Sequence, residues 1–250
     1  MRILLPPSEG KTPAFAGPQL SLDALSFPGL TPTRAAVLNT LVELCRSDPG
    51  AALAALGLGP NLAAAVAGNA RLPESICAPA WQVYSGVLFN ALDYGSLPTT
   101  SPPTENPLLI ASALFGLLNP ADPIPAYRLS GAVTLPGLVS PRRLWSAPLR
   151  AVLGDLAQQH LIVDMRSQTY AAWCTLPSPQ WVAVRVMTLR NGRPVPVSHH
   201  NKVTKGQLAR ALVASGEDAA DANGLLDLIR AAGWPANLGQ GGTVEVLTTQ

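Results

Sequence analysis

The cations of this chain are concentrated in one stretch. Residues 126–210 carry eleven basic side chains (Arg128, Arg142, Arg143, Arg150, Arg166, Arg185, Arg190, Arg193, Lys202, Lys205 and Arg210) against two acidic ones, Asp155 and Asp164. Residues 1–125 carry five basic and eight acidic residues, and residues 211–250 carry one basic and five acidic. A block at +9 repels itself unless anionic groups lie against it. Two arrangements meet that condition. Either the three segments interleave in the fold and their charges intermix, or the block lines a cleft that holds an external anion. The net charge of +2 is a cancellation between segments, so the total alone does not identify a nucleic-acid protein.

Only 13% of the 250 residues are charged and 48% are hydrophobic, whereas soluble domains average about 25% charged. Twenty-five Pro and 21 Gly indicate a globular chain with Pro-rich loops, not a disordered one. The length fits one large domain or two small ones. Such a chain buries roughly 70–75% of its unfolded surface and needs no staples. Cys45, Cys77 and Cys174 lie far apart with no CxxC. That spacing argues against a disulfide framework or a zinc site and fits a reducing cytosol. No run of about 18 apolar residues is present, so no membrane span is expected. Ile3-Leu4-Leu5 is too short for a signal-peptide core and is ended by Pro6-Pro7. Walker, GxGxxG, HExxH and GxSxG motifs are absent, and no cofactor is expected.

Short apolar runs set the secondary structure. Residues 2–5, 108–113 and 161–164 read as buried strands. Residues 181–189 alternate as a longer strand, 190–193 read as a hairpin turn and 195–198 as its return. Thr33 is placed to cap a helix over 34–46, and helices are expected near 143–159, 204–215 and 218–232. Residues 12–32, 96–107 and 116–125 read as loops, 81–94 as extended and then helical after Gly86, and 243–248 as a last strand. Strands and helices mix without a regular βαβ period. The expectation is a mixed α/β (α+β) single domain over 1–250, with a central mixed sheet flanked by helices.

Residues 51–70 carry no charge. Leu56-Gly57-Leu58-Gly59-Pro60-Asn61-Leu62-Ala63 is similar to the GhGxxxA turn of helix-hairpin-helix modules, within a helical subregion at about 33–70. There, Gly57 and Gly59 would permit a tight turn, and the free N–H groups of the next helix would face a DNA phosphate. The alternative is an αα-hairpin of Ala and Leu with a packing role only. No Lys or Arg lies between Arg46 and Arg71 to assist a phosphate contact.

Five blocks stand in order along the chain: Pro6-Pro7-Ser8-Glu9-Gly10-Lys11; Tyr84-Ser85-Gly86; Ser112 to Pro120 with Pro125-Ala126-Tyr127-Arg128-Leu129; Asp164 to Tyr170; and His200-Asn201-Lys202-Val203-Thr204-Lys205-Gly206. Together they resemble the YaaA family of peroxide stress proteins. The resemblance covers nearly the whole chain. It implies a cytoplasmic bacterial protein of the oxidative stress response, with a helix-hairpin-helix element and a basic cleft that binds double-stranded DNA. This chain departs from the pattern by being poorer in Lys and uncharged around the hairpin.

The same blocks place polar groups after predicted strands. Lys11 follows strand 2–5, Ser112 ends strand 108–113, Arg166 and Ser167 follow strand 161–164, and Lys202 and Lys205 follow strand 195–198. Side by side, these ends would converge on one crevice. The candidate anion- or DNA-binding set is Ser8, Lys11, Tyr84, Ser112, Tyr127, Arg128, Arg166, Ser167, Tyr170, Lys202 and Lys205. Arg128 and Arg166 would grip phosphate or carboxylate bidentately, and a tyrosine would stack a base or donate a hydrogen bond. Glu9, Lys11, Tyr84 and Lys202 are the candidates for catalysis, with Glu9 either a general base or Lys11's partner. Arg128 has a structural alternative in an ion pair with Asp122 or Asp164. Adjacent His199 and His200 point to opposite faces of a strand, which gives no metal face. The mixed chemistry of the set leaves a second function open, an enzyme acting on a small anionic or nucleotide-like substrate.

Overall fold

Strand β1 (Arg2–Leu5) has both edges taken. It pairs in parallel with β3 (Leu108–Ser112) on one side and with β6 (Ile162–Asp164) on the other. Ile3, Leu4 and Leu5 are wholly buried. A strand covered on both faces reads as a continuous apolar run, which is why these four residues carry so clear a signal. The structure, a computed structural model, describes residues 1–97, 106–190, 193–196 and 201–248.

Along the chain, β1 is followed by helices α1 (Thr31–Ser47), α2 (Pro49–Ala55) and α3 (Ala63–Asn69). Then come β2 (Ala78–Pro79), α4 (Ala80–Val83), α5 (Val87–Leu92), β3, β4 (Gly116–Leu118) and β5 (Pro123–Ile124). Next are α6 (Pro141–Gln159), β6, α7 (Gln168–Ala171), β7 (Trp181–Arg190) and β8 (Arg193–Pro196). The chain closes with α8 (Asn201–Ala214), α9 (Ala222–Ala231), β9 (Ala236–Leu238) and β10 (Thr243–Thr248). The main sheet runs β4-β3-β1-β6-β7-β10-β9, with β8 on β7. β3, β1, β6, β7 and β10 are parallel, whereas β4, β8 and β9 join antiparallel. β2 and β5 form a separate small ladder. Helices α1, α2, α3 and α6 pack among themselves, as do α5, α8 and α9. The architecture is mixed α/β, as the sequence predicts.

Several details differ from the sequence reading. Gly116–Leu118 is a strand, not a loop. Gly116 adopts φ +73°, and a Cβ there would lie 2.4 Å from the Trp145 ring, so the chain turns back on β3 against that indole. Thr33 caps nothing: α1 begins two residues earlier with Pro32 in its first turn. Ala80–Val83 form one helical turn where an extended segment was expected. The return strand ends at Pro196, and its predicted end lies outside the described residues.

Chain direction sets where a site forms. From β1 the chain goes to β3 on one side and later to β6 on the other. The sheet's switch point therefore lies between the carboxyl ends of β1 and β6, the position at which open α/β sheets generally bind ligands.

Arg34, on the buried face of α1, ties that helix to the β3–β4 turn. Its guanidinium donates to the carbonyls of Phe115 (2.9 Å), Leu117 (2.8 Å) and Ser26 (2.8 Å) with no exposure to solvent. Arg34→Met keeps the stem and strands these three acceptors. It is expected to lower stability by about 3 kcal/mol, since buried polar groups left unpaired cost about 1–3 kcal/mol each and partly rehydrate. Urea unfolding of the variant with an unchanged m-value checks this.

Candidate functional site

The chain leaves β1 through Pro6-Pro7 into a loop stitched to residues 83–85. Ser8 Oγ donates to the Gly10 carbonyl (2.6 Å) and accepts from the Ser85 N–H (3.1 Å). The Thr12 N–H reaches the Val83 carbonyl (2.8 Å), and Lys11 pairs with Tyr84 as an antiparallel bridge. This fixes the Lys11 side chain. Its Nζ donates to the Ser8 carbonyl (2.8 Å) and lies 4.1 Å from the Tyr127 ring centre and 5.2 Å from that of Tyr84. A cation over aromatic faces is attracted by the ring quadrupole.

Beneath Lys11 the hydroxyls form a chain. Tyr84 Oη is 2.9 Å from Tyr127 Oη, which is 2.8 Å from Ser112 Oγ. Ser112 Oγ also accepts from the Phe115 N–H (2.9 Å), which anchors the chain to the end of β3. Phe89 stacks on Tyr84, and Phe115 meets Tyr127 edge-on. Tyr84, Ser112 and Tyr127 are all buried. These rings therefore offer no open face for a base to stack on, contrary to one role expected for them.

At the mouth, Arg128 Nη2 lies 3.2 Å from Glu9 Oε2, and Nη1 donates to the Glu9 carbonyl (3.1 Å). Arg128 thus pairs with Glu9, and neither Asp122 nor Asp164 takes that role. Asp122 accepts from Ser26 and Asn119, and Asp164 from Arg166. Among the described residues no carboxylate comes within ion-pair distance of Lys11. Burial lowers its pKa from 10.5 to about 7, with Glu9 opposing and Arg128 adding to the shift. Burial raises the Tyr84 and Tyr127 phenols well above their ordinary value. Near neutrality the site therefore holds an amine that exchanges its proton beside phenols that keep theirs.

The second group of predicted residues is a separate buried network. Arg166 clasps Asp164 in two-point fashion (Nε–Oδ1 2.9 Å, Nη2–Oδ2 2.8 Å) and donates to the carbonyls of Tyr170 (3.2 Å) and Cys174 (2.6 Å). Its fork is engaged inside the protein, so the external grip expected of Arg166 has no free donor face. Lys205 Nζ donates to the carbonyls of Met165 (2.9 Å) and Arg166 (3.2 Å). Burial lowers its pKa to about 8, with Asp164 opposing. Tyr170 is buried against Trp173. Ser167 and Lys202 are exposed, before α7 and in the first turn of α8 respectively. His199 and His200 lie outside the described residues. The Cys174 thiol is buried and pushed up, chiefly by that burial.

The hairpin and the remaining cations complete the picture. α2 and the Pro60–Asn69 helical segment cross at 114°. Gly57 supplies the left-handed residue of the turn (φ +64°), whereas Gly59 is ordinary (φ −74°) and lies close to the Asn61 side chain. Arg142, Arg143 and Arg150 are exposed on α6. A cleft of about 440 Å³ lined by Ser140, Arg142, Arg143, Ser146 and Ala147 opens at the start of that helix. Among the described residues, no single helix is long and apolar enough to cross a membrane, and no cluster of His, Cys, Asp and Glu is suited to a metal ion.

Sequence reasoning missed Asn69. This buried side chain brackets the Arg128 backbone, donating to its carbonyl (2.8 Å) and accepting from its N–H (2.9 Å). The one available signal was an amide at the end of an otherwise Ala-rich helix.

A parallel-cored α/β protein with a lysine–tyrosine site beside the end of β3 is the class that fold and geometry define. Within it, the chain belongs to the YaaA family: a model described as peroxide stress protein YaaA matches residues 1–234. A UPF0246 protein of Streptomyces coelicolor is 40% identical, with 99% of this chain and 98% of the relative covered. UPF0246 proteins of Corynebacterium efficiens (40%, 96% of each chain) and Corynebacterium glutamicum (39%, 93% of each chain) are similar over the same extent.

The Lys11 geometry sets a pH dependence. A base whose pKa is lower folded than unfolded binds fewer protons in the native state, so stability rises with pH between the two values. For Lys11 the rise begins near pH 7 and would continue to 10.5. Lys205 adds to it from about pH 8. Lys11→Met is expected to flatten the rise between about pH 7 and 9, where one group contributes at most about 1.4 kcal/mol per pH unit. Denaturant melts of both proteins across that range test it.

Proposed function

We propose that this peroxide-stress family member works in the cytoplasm and uses the Lys11 site to bind and act on a small anionic, nucleotide-like ligand. The observation that carries this reading is Lys11 itself. An amine with a pKa near 7, held over two buried tyrosines beside a Glu9–Arg128 pair, is more chemistry than gripping a phosphate needs. Protonated, Lys11 attracts an anion; neutral, it accepts a proton. The arginine fork of Arg128 lies at the mouth, only partly buried, where a phosphate or carboxylate can exchange with Glu9. Ser112 and the tyrosine hydroxyls lie deeper, buried and hydrogen-bonded to one another, and hold the two rings against Lys11.

Calorimetry with nucleoside phosphates and inorganic phosphate tests this reading. At least one is expected to bind more tightly at pH 6 than at pH 8.5. Lys11→Met should weaken it roughly 10–100-fold, the equivalent of a lost charge-assisted hydrogen bond of about 1.5–3 kcal/mol. Absence of binding by every compound at both pH values overturns it.

A second reading, duplex DNA binding, is favoured by one different observation: Arg142, Arg143 and Arg150 are exposed on α6, and none has an ion-pair partner among the described residues. Affinity from phosphate neutralisation falls with salt at about 0.9 log units per released counterion. Replacing all three by Gln should flatten the salt slope by about 0.9 for each arginine that contacts a phosphate. An unchanged slope, or no duplex binding at low salt, removes this reading.

A further inference from the structure

We propose that Asn69 is a positioning residue for the Lys11 site, and that it couples the α2–α3 hairpin mechanically to that site. The proposal rests on the reading of Lys11 as the working group. Asn69 closes α3 and is wholly buried, yet both polar atoms of its side chain face the main chain of a residue 59 positions away. This pairing copies two rungs of a strand ladder and fixes where the Arg128 backbone lies. Arg128 then reaches from that fixed point to Glu9 with two contacts, one to the carboxylate and one to the carbonyl. Glu9 is two residues before Lys11, in the same stitched loop. The path from hairpin to amine is therefore Asn69, the Arg128 backbone, its guanidinium, Glu9 and Lys11.

What the path controls is how Glu9 divides its charge. Held by Arg128, Glu9 leaves Lys11 without a carboxylate partner. With Arg128 released, Glu9 is free to turn to the neighbouring ammonium and stabilise its charged form. The charged or titratable groups facing Lys11 are Glu9 on its own loop, Arg128 and Tyr127 from the segment after β5, and Tyr84 before α5. Tyr170 lies further off; burial chiefly raises its pKa, with Tyr127 and Glu9 adding to the shift. Neither tyrosine in contact with Lys11 ionises near neutrality, so of its charged neighbours Glu9 and Arg128 modulate a shift whose largest cause is burial.

The test is the pH profile of Lys11 acylation by trace acetic anhydride, read by peptide mass spectrometry on the full-length protein, which needs no ligand. The native protein should show a midpoint near 7. Arg128→Gln should raise it, because a neighbouring cation is lost and Glu9 is freed. Glu9→Gln should lower it. Asn69→Ala should raise it in the same direction as Arg128→Gln, and the double variant should move no further than Arg128→Gln alone. A purely structural Asn69 would lower the melting temperature and leave the midpoint in place, or its effect would add to that of Arg128→Gln; either outcome overturns the proposal. If Asn69→Ala does not fold, Arg128→Gln still decides, since it keeps the Asn69 clamp: an unmoved midpoint there breaks the path. Failure of nucleotides to bind would leave these profiles readable, so the two readings fail separately.

Discussion

The placement of β1 in the middle of the parallel core governs the rest of the molecule. Its apolar residues are buried and both its edges are bonded, so β1 sits inside the sheet with β3 and β6 as neighbours. With β3 on one side and β6 on the other, the carboxyl ends of three parallel strands lie side by side, and the residues that follow them are brought close together. Pro6-Pro7 ends the ladder at that point because proline carries no N–H to continue it. The next five residues then turn back onto residues 83–85, and Lys11 is delivered beneath the chain and over the tyrosines. The strand that organises the core is thus the strand that locates the amine.

Much of this was legible in the sequence, for reasons visible in particular residues. Ile3-Leu4-Leu5, Leu108 to Ser112 and Ile162 to Asp164 were readable because a doubly covered strand leaves an unbroken apolar run between breakers. α6 and α9 were readable from their apolar stripes. Gly116–Leu118 was not, since three residues among turn formers carry no period, and it is their antiparallel pairing with β3, reached by a tight turn against the Trp145 ring, that makes them a strand. Ala80–Val83 is a single turn whose first two residues, Ala80 and Trp81, donate their backbone N–H groups to the carbonyls of Asp122 and Pro120, a tertiary fact with no local signature.

The site was legible in its members and not in its partnerships. Ser8, Glu9, Lys11, Tyr84, Ser112, Tyr127 and Arg128 do meet. A strand-end argument places Lys11, Ser112, Arg166 and Lys205 at one end of the sheet, but it cannot tell which cations face outward. Arg166 and Arg128 look equivalent in sequence, each one step beyond a short apolar or aromatic run. One is closed around Asp164 and two carbonyls, the other reaches Glu9 at the surface. The difference lies in what the fold brings within reach of each guanidinium. Asn69 escaped for the same reason, because its two partners are on a residue remote in sequence.

The concentration of charge that constrains the chain is resolved in two ways at once. Part of the 126–210 block is partnered within the protein: Arg166 by Asp164 and Lys205 by backbone carbonyls in the interior, and nearer the surface Arg128 by Glu9 and Arg210 by Asp93 with the carbonyls of Leu92 and Asp93. Two of these carboxylates, Glu9 and Asp93, come from the acidic first segment, so interleaving of segments relieves part of the repulsion. Another part, Arg142, Arg143 and Arg150 on α6, stays at the surface without a carboxylate partner among the described residues. At that surface, water and salt screen the charges at little cost, so stability does not require them to be there. The partnered cations meet their counter-groups within the fold. The row on α6 meets none among the described residues, so its charge is balanced by whatever ions the solvent brings to that surface.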